Sequence, residues 1–103
     1  AQREAMRVEI RSIGGALTPR MRGEVRRALL AALEGRPVAR ATLAFRSERR
    51  LFCDVEVELA DGTHLEAEIC DVDAESLRGR SVTRAVAMVE RAVALARVWR
   101  RTS

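Results

Sequence analysis

Four short runs of this chain alternate apolar and polar residues, and each run is apolar on one side only. Met6, Val8 and Ile10 alternate with Arg7, Glu9 and Arg11, and Ala39, Leu43 and Phe45 alternate with Arg40, Thr42 and Arg46. Leu51, Cys53, Val55, Val57 and Leu59 stand opposite Asp54, Glu56 and Glu58, and Leu65, Ala67 and Ile69 opposite His64, Glu66, Glu68 and Cys70. A period of two sends successive side chains to opposite faces, so each run predicts a strand with one buried face. Two further runs have helical spacing. Thr18-Pro19 offers a hydroxyl to the first free amides and the residue best tolerated at the first helical position. Met21, Val25, Ala28, Leu29 and Ala32 then share a stripe, which Gly35 and Pro37 end. Val82, Val86, Val89, Val93 and Ala96 form the second stripe, for which Ser81 is the expected cap after a loop carrying Arg78, Gly79 and Arg80.

The predicted order is β-α-β-β-β-α, an α+β fold with a four-stranded mixed sheet. A helix after the first strand implies a crossover to a parallel neighbour, and the remaining strands follow as an antiparallel meander. Since every strand has a single apolar face, both helices must pack on the same side and leave the other sheet face to water. With 103 residues the chain is read as one domain over 6–101, preceded by a flexible N-terminal segment over 1–5. Ala60-Asp61-Gly62 suits a three-residue hairpin loop with glycine in the left-handed position, which sets Val57 across from Leu65. Glu56 then faces Glu66 and Asp54 faces Glu68. Arg40 is expected across from Glu56 or Glu58, with Arg7 and Arg11 continuing a basic edge on the first strand. Met88, Leu95 and Trp99 form an apolar row on the last helix, read as its contact with the first.

Charge narrows the partner. The net charge is +4, every cation is arginine, and residues 53–75 hold nine acids and no arginine. On the last helix Arg80, Arg84 and Arg91 share a stripe with no acid among them. Cations segregated in this way can neutralise several phosphates together and release their counterions. Only Phe45, Phe52 and Trp99 are aromatic, too few to read single-stranded bases by stacking, so the expected partner is structured RNA gripped by its backbone. No stretch is long and apolar enough for a membrane span and no secretory signal is evident, so a cytoplasmic location is expected.

Other chemistries have weaker support. Cys53 and Cys70 fall on opposite sheet faces and are read as two free thiols, one a small core residue. His64, Glu66, Glu68 and Cys70, with Asp54 and Glu56 beside them, share a face that could chemically hold a metal. Alternation on an open sheet face produces such rows without selection, and no second histidine or Cys-x-x-Cys fixes a coordination geometry, so no metal site is assigned. A flat exposed face also offers no pocket to perturb carboxylate pKa values. No enzymatic activity, cofactor or small-molecule substrate is expected.

The strand MRVEIRSIG, the helix opening LTPRMRGEVRRALLAALEG, the acidic-ended LEAEICDVD and the closing VTRAVAMVERAVALARVWRR together resemble the ribosome hibernation-promoting factors. These are also called ribosome-associated inhibitors or ribosomal subunit interface proteins. The resemblance is to their short form and spans about Met6 to Arg101. It implies a domain akin to double-stranded-RNA-binding domains, without catalytic activity, lodged in the decoding channel of the small ribosomal subunit with basic helix residues against ribosomal RNA. It carries that role to Arg22 and Arg91. Arg26, Arg80, Arg84, Arg97, Arg100 and Arg101 complete the candidate RNA-binding set. The alternative reading is a protein-interaction module without ribosome binding. It would pair as a homodimer, the less favoured state, or hold another partner, through the last helix or the edge of the fourth strand.

Overall fold

The computed structural model describes residues 5–102, with the backbone alone for residues 101 and 102. The expected flexible segment therefore lies, Ala5 apart, outside the described residues. The elements are β1 (Arg7–Ile13), α1 (Pro19–Leu33), β2 (Val38–Ser47), β3 (Leu51–Leu59), β4 (His64–Asp71) and α2 (Ala74–Thr102), in the predicted order. The four strands form one sheet in the order β1-β2-β3-β4. β1 runs parallel to β2, while β2 with β3 and β3 with β4 are antiparallel. Both helices lie on one face, α1 against β1 and α2 mainly against β3 and β4.

Local chemistry accounts for the connections. Gly14 and Gly15 both take positive φ (66° and 69°), a conformation other residues adopt only under strain, and so they stop β1. The Ser12 hydroxyl then clips the loop, accepting from the Leu17 amide at 2.8 Å and donating to its carbonyl at 3.1 Å. Thr18 caps α1 as expected, its Oγ1 accepting from the Met21 amide at 3.2 Å. In the β3–β4 hairpin Gly62 has φ 91°, and Val57 stands opposite Leu65, Glu56 opposite Glu66 and Asp54 opposite Glu68.

The core lies between the sheet and the helix layer. Leu29 and Leu33 from α1, Ala41, Leu43 and Phe45 from β2, Cys53, Val55 and Val57 from β3, and Leu77, Ala85 and Val89 from α2 are almost wholly buried. Each large side chain there contributes about 1.5–3 kcal/mol relative to exposure.

Four sequence readings need correction. First, α2 begins at Ala74 rather than at Ser81. Asp73 starts it: its carboxylate accepts from the Ser76 amide at 2.8 Å and its carbonyl from the Leu77 amide at 3.0 Å. Arg78-Gly79-Arg80 is thus helical. Ser81 is fully buried, its hydroxyl donating to the Leu77 carbonyl one turn back at 2.7 Å. Second, the central stripe of α2 is accordingly Leu77, Ser81, Ala85 and Val89, flanked by half-buried Val82, Val86, Val93 and Ala96. Third, Leu33 takes the core position expected of Ala28, which is exposed, and a register shift between Val38 and Arg40 buries Val38 where Ala39 was expected. Fourth, of the row Met88, Leu95 and Trp99, only Met88 packs on the core. Leu95 and Trp99 are 52% and 74% exposed.

Candidate nucleic-acid interface

The helix layer presents its arginines in two rows. On α1, Arg22 and Arg26 are one turn apart and so share a side. Arg26 fixes which side, because its Nη1 donates to the Val8 carbonyl of β1 at 2.5 Å. On α2, Arg80, Arg84 and Arg91 share a side, and Arg80 fixes it by donating from Nη1 to the Cys70 carbonyl of β4 at 3.1 Å. β1 and β4 are opposite ends of the sheet. The two rows therefore flank the helix layer, about 14 Å apart if three strand spacings set the distance.

The seam between the helices is neutralised. Glu24 of α1 pairs with Arg20 at 3.2 Å and reaches across to Arg78 of α2 at 3.3 Å. Arg36 pairs with Glu90 of α2 at 2.9 Å and also donates to the Ala32 carbonyl at 3.1 Å. These contacts use the acids the helices carry in the seam. Arg22, Arg27, Arg84, Arg91 and Arg97 are exposed and make no ion pair with another described residue. They are the cations a polyanion would meet without displacing a carboxylate.

The candidate residues thus fall into groups. Arg22, Arg84, Arg91 and Arg97 stand in solvent, and Arg27 joins them although the sequence reading left it out. Arg26 and Arg80 are engaged by their own chain, Arg80 also by Asp71 at 2.9 Å. Arg100 lies near the β3–β4 loop, where its charge adds a little to the depressed Asp61 pKa, an effect owed chiefly to hydrogen bonding with Thr63. The side chain of Arg101 is outside the described residues.

The opposite sheet face is divided by charge. Glu56, Glu58, Glu66 and Glu68 lie there with Asp54, on the side away from the helices. Arg7, Arg11, Arg40 and Arg46 stand on the β1–β2 half of the same face, which is therefore less purely acidic than the stretch 53–75 suggests. Arg40 is in register with Glu58 and pairs with it at 3.5 Å. Arg46 bonds Glu48, Asp54 and Glu68 at 3.0, 3.3 and 2.6 Å while its guanidinium sits 4.4 Å from the centre of the Phe52 ring. Arg11 binds Glu9 at 2.8 Å, and that bond holds the Glu9 carboxyl below its ordinary range.

Of the six residues considered for a metal, only Glu56, His64 and Glu66 converge, with ligand atoms within 4.8 Å of one another and all three exposed. His64 bonds Glu66 at 2.9 Å. Glu68 and Asp54 are drawn to Arg46, and Cys70 lies at the other end of β4.

Cys53 and Cys70 are free thiols on opposite faces. Burial pushes the Cys53 thiol from 9.0 up to about 11, partly countered by the neighbouring Ser81 hydroxyl. At the start of α2 the Asp71 carboxylate is held well below the usual range. The Asp73 amide contributes most, then the Ser76 hydroxyl and Arg80.

The geometry defines an α+β domain with an arginine-flanked helix layer and a charge-divided open sheet face. Solved structures share this fold. A ribosomal subunit interface protein from Coxiella burnetii superposes with a TM-score of 0.69 at 16% identity, over 84% of this chain and 98% of its own. The N-terminal domain of Protein Y from Thermus thermophilus does so with a TM-score of 0.69 at 19% identity, over 84% and 98%. No family profile and no curated protein matches the sequence.

Proposed function

We propose that this protein is a non-enzymatic, cytoplasmic ribosome-binding factor. It silences translation by occupying the decoding channel of the small subunit, with its helix arginines against ribosomal RNA. The observation that carries this reading is a set of exposed helix arginines, Arg22, Arg27, Arg84, Arg91 and Arg97, that make no ion pair with another described residue, on a fold shared with a ribosomal subunit interface protein.

The physical mechanism is electrostatic. Each guanidinium that neutralises a phosphate releases condensed counterions, and the planar fork of arginine suits phosphate oxygens. Rows on both flanks grip separated stretches of backbone, which favours folded RNA over a single strand. Glu56, Glu58 and Glu66 on the far sheet face are repelled by phosphate, so the charge division also orients the domain. Among the described residues no helix is long and apolar enough to cross a membrane.

Co-sedimentation with purified small and large subunits at low salt tests the proposal. Binding to small subunits is expected, with competition by messenger RNA. Arg84→Glu combined with Arg91→Glu should abolish it while leaving the fold intact by circular dichroism. Absence of small-subunit binding at low salt, or binding unaffected by the double variant, overturns the proposal.

A further inference from the structure

The sheet has two open edges, and a helix arginine reaches each of them. Among the described residues β1 has a strand neighbour on one side only, as does β4. At the first edge Arg26 of α1 donates to the Val8 carbonyl at 2.5 Å. At the second, Arg80 of α2 donates to the Cys70 carbonyl at 3.1 Å and is held in place by Asp71 at 2.9 Å. An open edge presents unpaired backbone groups that template pairing with another chain, and folded proteins commonly blunt it with charge. A carbonyl that already holds a guanidinium cannot accept an incoming strand's amide unless that bond is given up. The long charged side chain also lies where the new strand would run.

We infer that Arg26 and Arg80 are edge guards, which prevent this sheet from continuing into that of a second copy of the chain. Charge says how such copies would join. β4 against β4 would set Glu66 and Glu68 against themselves, which like-charge repulsion opposes. β4 against β1 sets those acids beside the strand that carries Arg7 and Arg11. β1 and β4 also run in the same direction, since β1 is parallel to β2 and two antiparallel steps lead from β2 to β4. Head-to-tail stacking of copies is therefore a parallel, charge-matched contact, and a heterologous contact of this kind builds an open array. One unguarded edge per molecule is not enough for it. This inference is independent of the ribosome proposal, and it explains why these two arginines are turned to their own backbone.

Sedimentation velocity across a concentration series tests it, using alanine, the strongest helix former, to keep α1 and α2 intact. Arg26→Ala exposes only the β1 edge and Arg80→Ala only the β4 edge, so each variant alone should keep the wild-type distribution. Mixed in equal amounts they should form a 1:1 complex of twice the monomer mass, capped at both ends. The double variant Arg26→Ala/Arg80→Ala should grow beyond dimers as concentration rises. Arg84→Ala/Arg91→Ala, with the same loss of charge, should not. A mixture that sediments as its separate components overturns the inference, and so does equal assembly by Arg84→Ala/Arg91→Ala. Should the double variant fail to fold, the mixture of single variants still decides.

Discussion

Replacing Asp73 with alanine tests how α2 starts, and with it the two turns that carry Leu77 into the core. The Asp73 carboxylate accepts from the Ser76 amide at 2.8 Å, and loss of such a cap costs about 1 kcal/mol, in a range of about 0.5–2. Leu77 is 1% exposed, so Leu77→Ala should cost about 2–5 kcal/mol through lost burial and the cavity left behind. Ser81→Ala should change stability by less than about 0.5 kcal/mol. Its hydroxyl bonds a carbonyl that already accepts the helical amide, so removal leaves no buried polar group without a partner. Urea unfolding followed by circular dichroism reads all three. With a slope of about 2 kcal/mol per molar urea, the Asp73 variant should lower the midpoint by about 0.5 M. A cap at Ser81 would invert the ranking, with Ser81→Ala costing about 1 kcal/mol and the Asp73 and Leu77 variants nearly silent. That outcome would refute the reasoning.

Three further outcomes follow from the packing and the titrating groups. Leu29→Ala, at a fully buried position of α1, should destabilise by about 2–5 kcal/mol in the same urea assay. A thiol reagent at pH 8 should label Cys70 quickly and Cys53 only after unfolding. Because the folded Cys53 pKa is raised, its stabilising contribution is complete below the unfolded value of 9.0 and is lost as pH rises toward about 11. For Asp71 the sign is opposite. Its folded pKa is depressed, so its contribution is complete above the unfolded value of 3.8 and declines as pH falls below it. The urea midpoints of Asp71→Asn and wild type should therefore converge on acidification from pH 7 to pH 3.

The strands were legible because burial on one face leaves a period of two that no helix reproduces. The β3–β4 register followed from parity together with one glycine, and Glu56 faces Glu66 as that argument requires. Arg40 met Glu58, one of its two expected partners. What escaped was decided by tertiary contacts. Ser81 reads as a cap because buried serines are uncommon, whereas a hydroxyl bonded to its own helix can enter a core. The signal for the true start was present in Asp73 with Glu75 two residues on, an acceptor followed by an acid in the first turn. Ala39 misled because a bulge changes strand parity without changing composition. In the candidate interface, exposure of Arg84 and Arg91 followed from helical spacing. The use of Arg26 and Arg80 at the sheet edges depends on which strands lie outermost, and no local pattern encodes that for a helix residue. Arg46 likewise shows two of its three acidic partners, Asp54 and Glu68, only once β2, β3 and β4 are aligned.

The salt dependence of binding to small ribosomal subunits tests the central claim most directly. If Arg22, Arg27, Arg84, Arg91 and Arg97 each neutralise a phosphate, the logarithm of the binding constant should fall against the logarithm of salt concentration with a slope of about −3.5 to −4.5. Arg84→Ala with Arg91→Ala should make that slope shallower by about 1.4–1.8. A slope near zero for the wild-type protein, or one the double variant leaves unchanged, would contradict an account in which these helix arginines hold RNA.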